Sequence, residues 1–362
     1  MTDASREHAP ALDGLRGVAV LLVVAHHWLG SEHVGFDLGL TGVRLFFVLS
    51  GFLITSILLG GRELMAHGES TLGHLARSFY ARRFLRIVPI YYLTLAVLWA
   101  LNVAGVRDEI GWHVTYMTSL LVARTDHWIG LTSHFWSLSV EEHFYLFWPW
   151  IVLSVPTRWL RATFIALIVA GPLWRSIGLL AGLGKFALLY VLPGCLDALG
   201  VGALLALVHR ESPQRANRAG LAMLGVGAAV LAVATLATRG AGATATSHLI
   251  GAQRGLAWAL LLGAAVSACV RRDGMIVRAM SVAPLRGVGR VSYAVYIVHP
   301  MVPKALAALG LEPRVFAARF ALWSIVTAAI SVASWRWFEG PINARKSRFP
   351  YRDATRAQSL QR

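Results

Sequence analysis

The chain has 362 residues, 56% of them hydrophobic and only 14% charged, with a mean hydropathy of +0.59, which sets aside a soluble globular reading in favour of a membrane protein. The formal net charge of +16 raises nucleic acid or anionic lipid as partners, but the basic residues fall between hydrophobic segments rather than on a face interleaved with stacking aromatics, which excludes nucleic acid. Cys195 and Cys269 lie in apolar stretches without metal-ligand spacing, so neither a disulfide framework nor a metal site is expected.

Apolar segments of about 18 residues or more predict an all-α polytopic bundle of about ten transmembrane helices. They lie near 11–29, 38–59, 87–106, 136–155, 162–181, 186–208, 219–238, 251–270, 291–309 and 315–338. The first follows a short charged stretch, as a secretory signal would, but it runs too long, contains Arg16 and lacks a small-x-small cleavage pattern, so it is expected to be retained. Pro193 and Gly194 predict a kink in the sixth. Lys and Arg crowd into 60–86, 156–161, 209–218, 271–290 and the C-terminal tail. They are scarce in 30–37, 107–135, 175–185, 239–254 and 304–314. That alternation predicts a multi-pass protein of the cytoplasmic membrane with both termini in the cytoplasm. Residues 1–340 are read as one transmembrane domain and 341–362 as a short basic tail, expected to fray. No internal repeat of the kind many transporters carry is evident.

In chain order, the first polar groups inside a span are Arg16 and His27. Eleven residues is three helical turns plus about 20°, so both project from one face, about 16 Å apart along the axis, while His26 points elsewhere. Arg16 either snorkels to the interface or faces a polar interior; His27 either bonds a neighbouring helix or serves as a general base, being largely neutral at cytoplasmic pH. In "SFYARRFLRIVPIYYL", 78–93, Arg82, Arg83 and Arg86 are explained as positive-inside anchors or as an anion site for a polyphosphate donor such as coenzyme A. In "HFWSLSVEEHFYLFWPW", 134–150, Trp136 and Tyr145 belong to an aromatic belt or a substrate site. Glu141 and Glu142 diverge by about 100° and need pairing or water. Tyr293, Tyr296 and His299, before Pro300, lie on a kinked packing helix, with Tyr293 and His299 as further substrate candidates. Glu339, followed by Gly340 and Pro341, is read as an interfacial acid at a helix stop.

Taken together, "LDGLRGVAVLLVVAHH", "GVRLFFVLSGFLIT", "RRFLRIVPIYYL", "FWSLSVEEHFYLFWP" and "SYAVYIVHP" resemble the acyltransferase 3 family of integral membrane O-acyltransferases. These segments run from the first span to the ninth. The resemblance implies acyl transfer from a cytoplasmic acyl-CoA, acetyl-CoA in the first instance, to a hydroxyl on a surface glycan, a glycolipid or a macrolide-type metabolite. It places functional weight on Arg16, His27, Arg83, Arg86 and the Glu141–Glu142 pair. Some members append a periplasmic hydrolase-like domain, for which this chain has no room. Members often carry an acid or another residue where this sequence has Arg44, so a role by analogy does not transfer there.

On that basis His27 is expected to deprotonate the acceptor hydroxyl, with donor phosphates on Arg83 and Arg86 and Arg82 nearby. Arg16 would hold phosphate or meet the thioester oxygen, and Glu141 or Glu142 would orient the base or balance charge. Transfer is direct or in two steps across the bilayer. The rivals are a proton-coupled transporter and a membrane scaffold.

Overall fold

The computed structural model describes residues 9–30, 37–240, 245–271, 273–353 and 356. Among them no strand occurs, and seventeen α-helices follow in order. They are α1 (Pro10–Leu29), α2 (Leu38–Ala66), α3 (Leu72–Ala100), α4 (Ile110–Val114), α5 (Thr118–Thr125), α6 (Trp136–Ser154), α7 (Thr157–Leu180), α8 (Lys185–Leu189) and α9 (Leu192–Glu211). Then come α10 (Pro213–Gly240), α11 (Ala245–Gly251), α12 (Arg254–Cys269), α13 (Met275–Met280), α14 (Ala283–Val298), α15 (Met301–Ala308), α16 (Phe316–Ser334) and α17 (Gly340–Ala344). Eight helical stretches among the described residues are long and apolar enough to cross a membrane. Leu180, Leu236, Ile325 and Trp337 leave large apolar surfaces exposed, as lipid-facing residues do.

The count differs from ten for two local reasons. The segment 136–155 is one continuous helix, α6, but Glu141, Glu142 and His143 dilute its hydropathy. The segment 291–309 is broken, since α14 ends at Val298 and α15 begins at Met301: Pro300 has no N–H to continue the ladder. The break near Pro193 falls slightly earlier, between α8 and α9, which puts Pro193 in the first turn of α9, where its missing donor is harmless. α7 runs to Leu180, within one residue of the expected span end at 181, and takes Arg175, tallied with the loop 175–185, into the helix.

The chain divides into two units. The first comprises Met1–Leu53, Phe164–Ile177 and Leu196–Tyr296. Its helices approach through glycine. A Cβ on Gly14 would collide with the Met280 carbonyl and one on Gly289 with that of Asp13, so α1 lies backbone against backbone on α13 and α14. Gly51 against Leu199 and Gly202 against Val48 do the same between α2 and α9. Between lipid-solvated helices apolar surface supplies no net drive, so close van der Waals packing of small residues holds them together.

The second unit comprises Ile54–Thr163, Gly178–Cys195 and Ile297–Arg362. Its core is aromatic: Phe144 and Trp148 stack at 4.5 Å, and the Trp148 indole donates to Thr55 Oγ1 at 2.8 Å. Arg62 closes the end of α6 by donating to the carbonyls of Val152 and Val155, both at 2.7 Å, which satisfies acceptors the helix leaves open. Over α3, the segment 101–135 folds around His113. Its two ring nitrogens meet Thr118 Oγ1 at 2.9 Å and Thr132 Oγ1 at 3.2 Å, and Tyr91 donates to its carbonyl at 2.8 Å.

After α16 the chain does not stop at Glu339. A π-helical turn, Trp335–Glu339, passes into α17 and a 3-10 turn, Arg345–Arg348. The segment to Asp353, expected as part of a fraying tail, is seated on the start of α3. Ser78 Oγ donates to the Pro350 carbonyl at 2.8 Å, and the Asp353 N–H donates to the Glu69 carbonyl at 2.9 Å. Residues 354–355 and 357–362 of that expected tail, and the loop residues 31–36, lie outside the described residues.

Candidate functional site

The polar residues singled out in the sequence fall into both units.

In the first unit, α1 opens with Pro10 in its first turn, and its Asp13 is buried. Arg16 Nη1 lies 3.7 Å from Asp13 Oδ1, an i, i+3 pair on one helix face. At the other end of α1 the two histidines are sorted. His26 Nδ1 stands 3.5 Å from Asp37 Oδ1, and Gly39 leaves room for the His26 ring. His27 instead places Nδ1 2.9 Å from the Val23 carbonyl, one turn back. A carbonyl only accepts, so neutral His27 carries its proton on Nδ1 and presents Nε2 as the basic nitrogen. The residue is exposed. Tyr293 is half-buried on α14, and Tyr296 is buried edge-on to Phe46 at 6.1 Å.

Sequence reasoning missed the partners of Arg44 in this unit. Asp197 is fully buried and bridges two guanidinium groups, Arg175 Nη2 at 2.7 Å and Arg44 Nη1 at 3.3 Å. Arg44 also donates to the Gly255 carbonyl at 3.0 Å and Arg175 Nε to that of Ala252 at 2.9 Å. Gly255 leaves room for the two guanidiniums, since a Cβ there would come within 2.7 Å of Arg44 Nη2. A lone acid in the apolar run of α9 was the signal available.

In the second unit the three arginines of α3 part company. Arg82 Nη1 donates to the carbonyls of Lys346 and Phe349, at 3.1 and 3.3 Å, and its guanidinium lies 5.0 Å from the Tyr351 ring. Arg83 lies over the rings of Phe79 and Tyr145, each at 5.8 Å, within electrostatic reach of Glu142. Arg86 reaches Glu339 electrostatically, and Glu339 Oε1 accepts from Ser334 Oγ at 2.8 Å. Arg83, Glu142 and Tyr145 border a groove of about 410 Å3 whose apolar walls are Phe84, Val88 and Leu146. Arg83 Nε and Glu142 Oε1 are buried without a hydrogen-bond partner, so the groove has polar capacity to hold an anion or a hydroxyl. Glu141, one residue back, is half-buried and points away from Glu142 by the turn of the helix.

Tyr116 was also missed. Its φ of 56° is a left-handed conformation uncommon for a bulky residue. Its ring stacks on Tyr91 at 4.4 Å, its hydroxyl is buried without a partner, and burial, with the Glu142 carboxylate next, pushes that hydroxyl's pKa up. Two other candidates sit among aromatic rings: Trp136 is buried edge-on to Tyr190 at 4.8 Å, and His299 is fully buried edge-on to His134 at 5.5 Å.

The family model described as an acyltransferase domain, of the acyltransferase 3 type, matches residues 10–336. The chain belongs to the acyltransferase 3 family. Among curated relatives of the family, the chain is 29% identical over 390 residues to peptidoglycan O-acetyltransferase OatA of Listeria monocytogenes, covering 96% of this chain and 57% of that protein. It is 34% identical over 176 residues to a protein of Bacillus subtilis named as a candidate peptidoglycan O-acetyltransferase, YrhL, covering 44% of this chain and 26% of the relative. A candidate O-acetyltransferase of Staphylococcus aureus is 32% identical over 186 residues, with 48% and 29% covered. The chain therefore spans little more than half the length of the first of these relatives. No solved structure matches it. The family match begins with α1 and ends within the π-helical turn, leaving the seated segment 340–353 beyond it.

Proposed function

We propose that the chain is a membrane O-acyltransferase that moves an acyl group, acetyl in the first instance, from a cytoplasmic acyl-CoA to a hydroxyl of an envelope glycan or glycolipid. The observation that carries this reading is the tautomer of His27: its Nδ1–H is spent on Val23 and its basic Nε2 belongs to an exposed residue, as a general base that meets substrate requires. Family membership and the names of the relatives support the reaction class, and the names specify peptidoglycan for those proteins.

In the proposed reaction His27 Nε2 takes the proton of the acceptor hydroxyl as its oxygen attacks the thioester carbonyl. The tetrahedral intermediate collapses with loss of the C–S bond, and the leaving coenzyme A thiolate takes the proton back from the imidazolium. Arg83 and Arg86 suit donor phosphates, since guanidinium forks match phosphate oxygens, and the unpartnered Nε of Arg83 supports that fit. Arg16 is the candidate to meet negative charge on the thioester oxygen. Glu142 balances Arg83. Orientation of the base needs no carboxylate, because the Val23 carbonyl provides it.

The test is purified protein with radiolabelled acetyl-CoA, together with mass spectrometry of envelope glycans. His27→Ala is expected to abolish acetylation, by at least 100-fold, with normal membrane accumulation. Arg83→Ala should raise the KM for acetyl-CoA. A wild-type protein with neither turnover nor saturable coenzyme A binding would count for the transporter reading instead.

A further inference from the structure

Resting on the acyl-CoA reading, we propose that the C-terminal segment Arg345–Asp353 is a fixed wall of the nucleotide end of the donor site, and that Arg82 is a positioning residue that holds this wall rather than a direct ligand.

The segment is tied down at every third residue or closer, always to the beginning of α3 or the turn before it. Arg82 bridges the Lys346 and Phe349 carbonyls, and Ser78 Oγ and His74 Nε2 converge on the Pro350 carbonyl at 2.8 and 2.9 Å. Arg352 Nη2 pairs with Glu69 Oε1 at 2.9 Å, and Asp353 meets the Glu69 backbone and, at 3.9 Å, the His74 ring. At its other end Asn343 Nδ2 donates to the Glu339 carbonyl at 2.9 Å. Ordering these residues costs conformational entropy, so the number of anchors calls for a role.

Charge indicates which role. Arg82 spends its donors on carbonyls, which leave its positive charge uncompensated, and no acidic partner of Arg82 occurs among the described residues. The segment brings Arg345, Lys346, Arg348 and Arg352 to the end of α3 that carries Arg82 and Arg83, while Glu69 and Asp353 are the acids tied into it. Tyr351 completes the surface: its ring lies under the Arg82 guanidinium, and burial pushes its hydroxyl's pKa up while Arg83 and Arg82 pull it down. The excess of cations that the segment brings beside Arg83 suits a ligand with several phosphates, which is the chemistry of the nucleotide end of an acyl-CoA. Nothing in the family match covers this wall, because the match ends at residue 336.

The experiment first loosens the wall without touching Arg82, Arg83 or Arg86. In the full-length protein, Glu69→Gln with Asp353→Asn removes the ion pairs that hold the far end. The KM for acetyl-CoA should rise about tenfold, with kcat within twofold and the acceptor KM unchanged. In parallel, adenosine 3′,5′-bisphosphate, which carries phosphates and base but no thioester, should slow tryptic cleavage after Arg348 and Arg352 in the wild type and lose that effect in the double variant. Arg82→Lys, which keeps the charge but cannot bridge two carbonyls, should resemble the double variant; Arg82→Ala should be no worse in kcat. An unchanged donor KM in an active double variant, or no protection by the bisphosphate, overturns the wall. Protection without acetyl-CoA turnover in the wild type leaves the wall standing and overturns the acyl-CoA reading on which the name of the donor rests.

Discussion

At the scale of single residues, the buried triad Arg44–Asp197–Arg175 is the most consequential charge arrangement in the first unit. Two guanidiniums share one carboxylate at 3.3 and 2.7 Å with all three side chains sealed. Desolvating such groups is expensive, and removing one partner is worse than removing all of them. Asp197→Ala is therefore expected to destabilise by about 3–5 kcal/mol and to deplete folded protein from the membrane. The triple change Arg44→Met, Asp197→Leu, Arg175→Met should recover most of that loss in thermal unfolding of detergent-solubilised protein. The triad was half legible. Arg44 stood out as a departure from the family pattern, but Arg175 was assigned to a loop, because hydropathy scores a charge without knowing whether it is paired.

His113 provides a second test at this scale. Burial lowers its pKa to about 4, from the ordinary 6.5. Between those values the unfolded chain binds the proton that the folded protein refuses, so stability rises with pH across that window. The contribution is complete above pH 6.5 and is lost as pH falls toward 4, by up to about 3 kcal/mol. His113→Gln, which can still meet both threonine hydroxyls, should flatten the acid limb of the melting-temperature profile. His27 was the opposite case. Its place on α1 was legible from spacing, whereas the proton on Nδ1 depends on a hydrogen bond to Val23 that no spacing reveals.

At the scale of elements, glycine decides how helices meet. Gly14→Ala would drive a methyl into the Met280 carbonyl, where backbone cannot yield, whereas the same change at Gly225 in α10 meets nothing within 4 Å. The first should cost at least about 1–3 kcal/mol, the second should be neutral or slightly stabilising; melting temperatures of the two variants check the pair. Both positions read alike in the sequence, since a glycine's purpose lies in the helix that approaches it. Long apolar helices were legible because lipid demands a continuous apolar run. The break at Pro300 was not, since window hydropathy averages across a kink.

At the scale of the whole molecule, the alternation of basic loops predicts a single orientation. The chain supplies a clean background for measuring it, because its two cysteines, Cys195 and Cys269, are both buried. Ser212→Cys and Ser347→Cys should react with an impermeant maleimide only after the membrane is opened, and Asp108→Cys in intact cells. Labelling of Ser347→Cys in intact cells would reverse the assignment and put the arginine cluster of α3 on the wrong side for a cytoplasmic thioester.

The continuation of the chain past its last hydrophobic stretch has a practical consequence for expression work. A reporter joined where hydropathy says the final helix ends would amputate Ser78's and Arg82's carbonyl partners and strand Glu69 without its arginine. Fluorescence screens built on such trimmed fusions would score a damaged protein, and a fusion that retains the chain beyond Asp353 keeps every one of those bonds.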